Sequence, residues 1–296
     1  GFFIFKNYYY RFPVDISLLP VMLSPKQYAV GMWRVLPGHL LNIVLAVAFL
    51  FSGFSLGRMT LRVAGFKFFS RLEETVFSVG LGFGLLAGFL FLLGILKLLY
   101  FWAVAAPLAL VFAGGVYDAH RYPFRGENGQ SPVLGTADFA ALSVLLLAML
   151  VNLAGTLSPE IFYDSLVYHL GVPNFYIISH KIAPMPNHFF SNLPLTHGML
   201  YAAALLLKDV VLAKFVNYWA GVFTVAAVLA MGVRYFSWRA GLWGAMIFYT
   251  VTHTIFASWS AGADGLITLF STLALYAVLN RSEEEPRWLW VAAIFS

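Results

Sequence analysis

Seven apolar runs follow one another along this chain, and they limit its fold more than any other feature. They cover 39–57, 75–96, 98–116, 138–157, 209–233, 240–259 and 263–280, and an eighth starts near Trp288. Each approaches the ~20 residues that an α-helix needs to cross a hydrocarbon core of ~30 Å. Only 10% of residues are charged, and mean hydropathy is +0.81. Soluble domains carry about 25% charged residues, so this composition cannot clothe a water-facing surface. The expected fold is an all-α polytopic membrane protein with seven to eight transmembrane helices. The 29 Phe, 15 Tyr and 8 Trp suit that solvent. Trp238, Trp259 and Trp288 read as anchors at the membrane interfaces. Pro107 is the strong mid-span breaker and is expected to kink the third run.

Four regions follow. Residues 1–37 form a mixed interfacial segment, where Pro13, Pro20, Pro25 and Pro37 break any long helix. Residues 38–157 form a four-helix membrane region. Residues 158–208 form a long external loop with juxtamembrane helices, and 209–296 add further transmembrane helices. The chain starts without Met and stops inside an apolar run, so a longer parent protein is expected. The net charge of +5 is concentrated in short loops. Arg58, Arg62, Lys67 and Arg71 lie in one, Arg121 and Arg125 in another. These read as positive-inside topology signals rather than a nucleic-acid surface. They place the 158–198 loop, with one Lys and no Arg, on the external face. The apolar stretch 195–207 is short for a span. If it does not cross, Arg234, Arg239, Arg281 and Arg287 fall inside, and Asp264 reaches the same face as Asp164. That is the preferred topology. The chain has no cysteine, which excludes disulfides, thiolate nucleophiles and Cys-ligated metals.

The loop gathers most of the chemistry. Ser158-Pro159-Glu160 suits a helix start, with a Ser cap, Pro at the first position and an acid in the first turn. Glu160, Asp164 and Tyr168 would then line one helical face. An acid near a membrane surface is costly unless it meets water, a partner or a cavity. Four of the seven His fall in this loop: His169, His180, His188 and His197. None shows the i, i+4 spacing of a helical zinc motif, so no metal site is assigned and no cofactor is implied. Asn187 and Asn192 fit either sugar hydroxyls or ordinary turn chemistry beside Pro184, Pro186 and Pro194. His253, near the end of its own span, either lines a cavity or bonds between helices.

The order of these residues resembles the first external loop of bacterial C-type glycosyltransferases (GT-C superfamily). More narrowly it is similar to the family-39-like, polyprenyl-phosphate-sugar-dependent mannosyltransferases. The resemblance rests on Asp164, Leu166, Tyr168, His169, Leu170 and Pro173; then on Asn187, Asn192 and Pro194; then on Gly198, Met199 and Tyr201. The stretch "SAGADGLITLFSTLALYAVL" is similar to the family's second acidic position, here Asp264. Together these cover roughly 135–281. The family usually has one span before this loop, whereas this chain has four runs.

The resemblance implies a GT-C-like fold in the bacterial inner membrane, with its active site on the external (periplasmic) face. It implies inverting transfer of a hexose from a polyprenyl-phosphate sugar to a lipid, glycan or protein acceptor. A phosphate leaving group departs without protonation, so one carboxylate suffices as general base for the acceptor hydroxyl. Asp164 is the candidate base. Asp264 is a candidate for orienting the acceptor or holding a divalent metal, or else a helix N-cap acid. Tyr168, His169, Lys181, Asn187, His188 and Asn192 are the candidate substrate contacts, with Lys181, His169 and His188 facing phosphate charge. The family's main phosphate-binding cations come from later loops. A transporter and a non-catalytic membrane scaffold are the rival readings. The transporter requires broken helices in matched spans and internal repeats.

Overall fold

The computed structural model describes residues 25–123, 134–186, 188–192, 196–282 and 285–296, with side chains from residue 35 onward, Asn192 excepted. Two compact units divide at residue 41. The first contributes the opening turns of α1 (Pro25–Val63), and everything below concerns residues 42–296. The remaining helices are α2 (Arg71–Ile95), α3 (Phe101–Arg121), α4 (Thr136–Leu157), α5 (Gly171–Ser179), α6 (Thr196–Leu207), α7 (Val210–Tyr235), α8 (Trp238–Thr250), α9 (Thr252–Trp259), α10 (Asp264–Leu279) and α11 (Trp288–Phe295). A π-helical turn, Ser165–His169, and a 3₁₀ turn, Phe189–Asn192, complete the described elements, with no strand among them.

Five of these helices are long and apolar enough to cross a membrane, and a sixth arises if α8 and α9 are one bent span. The sequence reading of seven to eight exceeds this count for two physical reasons. The run 240–259 is not one helix: α8 and α9 meet at 72°. At the break Val251 is extended, at φ −63° and ψ 132°. The Thr250 hydroxyl donates to the Met246 carbonyl at 2.8 Å, a back-bond that competes with helix continuation. The second reason is length. Helix α10 has 16 residues, about 24 Å at 1.5 Å per residue. The described helix also begins earlier than expected, at Pro25, and carries Pro37 inside it. Pro107 likewise sits within an unbroken α3.

Helices α1 and α2 cross at small residues. Gly53 and Gly57 form a G-x-x-x-G pair on α1, facing Ser78 and Gly82 on α2. A Cβ on Gly82 would stand 1.7 Å from the Gly53 carbonyl oxygen, and one on Gly57 would stand 1.9 Å from the Ser78 carbonyl oxygen. Lipid tails give apolar helices no hydrophobic reason to associate, so close backbone approach of this kind holds them.

The bundle has two chemically different ends. At one, arginines are buried in ion pairs. Arg58, 4% exposed, binds Glu74 at 2.9 Å and Asp118 at 2.8 Å, and Arg62 also binds Asp118. Glu73, fully buried, accepts from Arg234, from Asn280 at 2.6 Å and from the Phe69 backbone at 2.5 Å. The sequence reads Arg58, Arg62 and Arg234 only as topology markers, yet with these partners they also join α1, α2, α3, α7 and the end of α10. Trp288 belongs to the same end and is no interface anchor. It is 2% exposed and packs edge-on against Phe66 and Phe68, with Phe77 at 4.9 Å.

The other end carries Glu160, Asp164, Asp264 and the histidines that lie near them. Helix α6 is its centre: His197 to Ala204 are all buried, enclosed by α2, α3, α5 and α7. Its first turn meets the π-turn, and the turn after it meets α1 through Asn42 and Asp209 (3.2 Å). The start of α7 then returns to the end of α4 through Lys214. Helix α6 therefore starts and finishes at one end of the bundle and does not cross it.

Candidate functional site

The site grows from the way α4 ends. Lys214 on α7 is 2% exposed. Its ammonium donates to the Gly155 carbonyl at 2.9 Å and the Ser158 carbonyl at 2.8 Å. A buried cation on the final carbonyls of a helix satisfies both the orphan acceptors and the helix dipole. The chain then runs without regular structure through 159–162 instead of starting the helix expected at Ser158. Glu160 is the reason. One of its oxygens accepts from its own neighbours Ile161 and Phe162, at 3.0 and 3.1 Å. The other accepts from the Ala261 N–H at 2.8 Å. Glu160 is thus a tie between the 158–162 segment and the 260–263 turn, and it does not share a helical face with Asp164.

Asn217, one helical turn beyond Lys214, completes that tie. Its amide donates to the carbonyls of Ala257 (3.1 Å), Ser260 (2.9 Å) and Gly262 (3.1 Å). The Tyr201 hydroxyl of α6 donates to the same Gly262 carbonyl. Helix α7 therefore fixes both the segment that leads into Asp164 and the turn that leads into Asp264.

Asp164 is exposed and precedes the π-turn. In that turn the Leu170 N–H reaches back to the Ser165 carbonyl at 2.8 Å. Such one-turn expansions occur often at functional sites. The Tyr168 hydroxyl faces the Asp164 carboxylate. Burial, then the charge and hydrogen bond of Asp164, then the charge of Asp264 push the Tyr168 phenol up from its ordinary value. Burial lowers His169, while Asp164 and Asp264 both pull it back upward. The charges of both acids therefore bear on the same tyrosine and histidine, although 100 residues separate them in sequence.

His169 and His197 meet ring to ring, Nδ1 to Nε2 at 2.9 Å. One nitrogen must donate and the other accept, so the contact exists only while at least one ring is neutral. His197 is that ring: burial and then the neighbouring His169 bring it down to about 3. Tyr168 also stacks on Phe190 at 4.4 Å.

The other expected residues divide. Asp264 is exposed at the first position of α10, after Ala263 at the cap, and His253 Nε2 stands 3.6 Å from its Oδ2. His253 is neither buried between helices nor lining a closed cavity; it is 72% exposed beside this acid. His188 lies over the π-turn, with Nε2 at 3.3 Å from the Val167 carbonyl. Lys181 is exposed at the far end of α5, about 13 Å of helix away from the π-turn. There His180 stacks on Tyr100 at 4.0 Å and contacts the Leu99 carbonyl at 3.0 Å. Lys181 is not brought to Asp164. Asn187 lies outside the described residues, and Asn192 closes the 3₁₀ turn with its side chain outside them. Among the described residues no group of three or more His, Asp or Glu is placed to hold a metal ion.

Sequence reasoning missed Glu160, Lys214 and Asn217 as organisers. A lysine and an asparagine three residues apart inside an apolar run were the available signal, because buried polar groups must find partners. No protein-family model, curated protein or solved structure matches the chain.

Proposed function

We propose that this chain carries the acceptor-activating site of a GT-C-type membrane glycosyltransferase. The observation that carries the reading is Asp164 at the head of the π-turn that holds Tyr168 and the His169–His197 contact, with the charge of Asp264 also bearing on Tyr168 and His169, at one end of an apolar helical bundle. Asp164 is the general base. It is open to solvent, and Tyr168 orients it. A neutral His169, held by His197, offers a donor to the sugar or to the departing phosphate. Asp264, with His253, positions the acceptor. On this reading the donor is a polyprenyl-phosphate sugar and the acceptor a lipid, glycan or protein. The site faces the periplasm of a bacterial inner membrane, and α8–α9, α10 and the run at α11 complete the seven to eight crossings.

The break between α8 and α9 favours a second reading, a transporter, since discontinuous spans line substrate paths in such proteins. That reading needs a matching break in a second half, and α8–α9 is the one bent pair among the described residues.

One assay separates the two. Membranes carrying the protein are given radiolabelled polyprenyl-phosphate sugars, with Asp164→Asn alongside. The proposal expects label transfer and a loss of about a hundredfold or more in the variant, the usual contribution of a general base. Equal transfer by an equally expressed Asp164→Asn removes Asp164 from catalysis. Sugar uptake without transfer establishes the transporter.

A further inference from the structure

At the arginine-rich end, a cavity of about 560 Å³ opens between the ends of α1, α2 and α3. Arg58, Arg62, Lys67, Ser70, Glu74 and Tyr122 line it, with Phe66 and Phe68 among its apolar walls. Its charges do not balance. Arg58 and Arg62 share Asp118, and Glu74 takes the Nε of Arg58. Lys67, exposed on the rim, has no ion pair among the described residues. Among the described residues, three cations thus line the cavity with two carboxylates to balance them. One anionic charge would neutralise the site, which is the charge of a phosphodiester.

The other groups suit the same ligand. The Arg62 guanidinium lies 4.0 Å over the Tyr122 ring, which fixes its plane beside the cavity and leaves it 37% exposed. Arg58 is anchored at 2.6 Å on the Tyr122 carbonyl, so the buried part of the site is preorganised. The Ser70 hydroxyl accepts from the Glu73 N–H at 3.1 Å and keeps its own proton to donate. The apolar rings match the glycerol and first methylenes of a lipid. Depth matches too: the cavity sits at the ends of three membrane-length helices, where headgroups lie. The positive-inside bias assigns this end to the cytoplasmic leaflet, whose anionic lipids draw basic pockets between helices.

We propose that this cavity binds the phosphodiester headgroup of an anionic glycerophospholipid. The site is independent of the acids and histidines at the opposite end.

The test uses the protein in mild detergent with spin-labelled phosphatidylglycerol or phosphatidylcholine, reading the motionally restricted fraction. Wild type should select phosphatidylglycerol. Lys67→Gln should lower that selectivity about fivefold, the effect of one interfacial cation. Lys67→Glu should lower it further, and Lys181→Gln, at the other end, should leave it unchanged. Lys67 has no ion pair to lose, so its variants fold. Arg62→Gln, which also loses Asp118, serves as a second reading of the same pocket. Three results overturn the proposal: no preference for phosphatidylglycerol, equal loss in Lys181→Gln, or equal occupancy by inorganic phosphate without lipid selectivity. The last would mark a site for free phosphate.

Discussion

Gly82 on α2 and two glycines elsewhere on the same helix, Gly84 and Gly88, should respond to alanine with opposite signs. Gly82 faces the α1 backbone: an added Cβ would lie 1.7 Å from the Gly53 carbonyl oxygen and 2.4 Å from its carbon. Ordinary contact begins near 3.4 Å, so α1 and α2 must part locally by about 1.7 Å. The obstacle is backbone, and no rotamer can relieve it. Overpacking in a core costs roughly 1–3 kcal/mol where side chains can adjust, so about 3 kcal/mol is expected here. Separation would also loosen the neighbouring Gly57 contact with Ser78. Gly84 and Gly88 have nothing within 4 Å. Alanine there should stabilise the helix by about 0.5–1 kcal/mol, because glycine loses more freedom on folding. Reversible unfolding by sodium dodecyl sulfate in mixed micelles, followed by circular dichroism, measures each difference. If Gly82→Ala proves as stable as Gly84→Ala, α1 and α2 do not cross at these residues.

Other expectations concern the site end. Lys214→Met leaves the Gly155 and Ser158 carbonyls without their donor. Each buried orphan costs about 1–3 kcal/mol, partly offset by no longer burying an ammonium. Micelle unfolding should show a net loss of about 2 kcal/mol, and an unchanged midpoint would refute the tie. His197 sits below its ordinary value, at about 3, so the unfolded chain binds the extra proton between about pH 6.5 and 3. Its contribution is complete above pH 6.5 and is lost as pH falls, by up to about 1.4 kcal/mol per unit. His197→Gln should flatten that slope, and an identical acid profile would exclude His197 as its source. Tyr168→Phe removes the hydroxyl that faces Asp164. If the transfer reaction is present, its rate–pH profile should shift while expression stays equal; an unmoved profile leaves Tyr168 with a packing role only.

Much of this fold was legible because hydrocarbon runs and charged loops obey simple solvent arithmetic. Runs 75–96, 98–116, 138–157 and 209–233 became α2, α3, α4 and α7 with small changes at their ends. The break at Val251 was not legible. Its run is as apolar as the others, and the extended Val251 that breaks it has no compositional signature. Asp164 and Asp264 were legible as isolated acids in apolar surroundings. Their common neighbours were visible only through the topology. Glu160 misled for a specific reason: Ser-Pro-Glu fits a helix start, but the carboxylate found three backbone donors that an α-helix would have hidden. Trp288 misled because tryptophan serves equally as an interface anchor and as a core ring, and only the positions of Phe66, Phe68 and Phe77 decide.

Helix α6 has a consequence for how the molecule is built. Twelve residues span about 18 Å, too little to be taken up by the bilayer as a crossing segment. Its walls are α2 and α3, made before it, and α7, made after it. When α6 leaves the ribosome one side of its berth does not yet exist. It must wait at the membrane surface until α7 has inserted, and then enter between finished helices. The His169–His197 contact forms only then, and the Tyr201 bond later still, once Gly262 has been made. The acids of this end therefore come together only after α7 and the turn before α10 have been made, and a chain halted before α7 would hold the π-turn without the contacts that α6 and α10 bring to it.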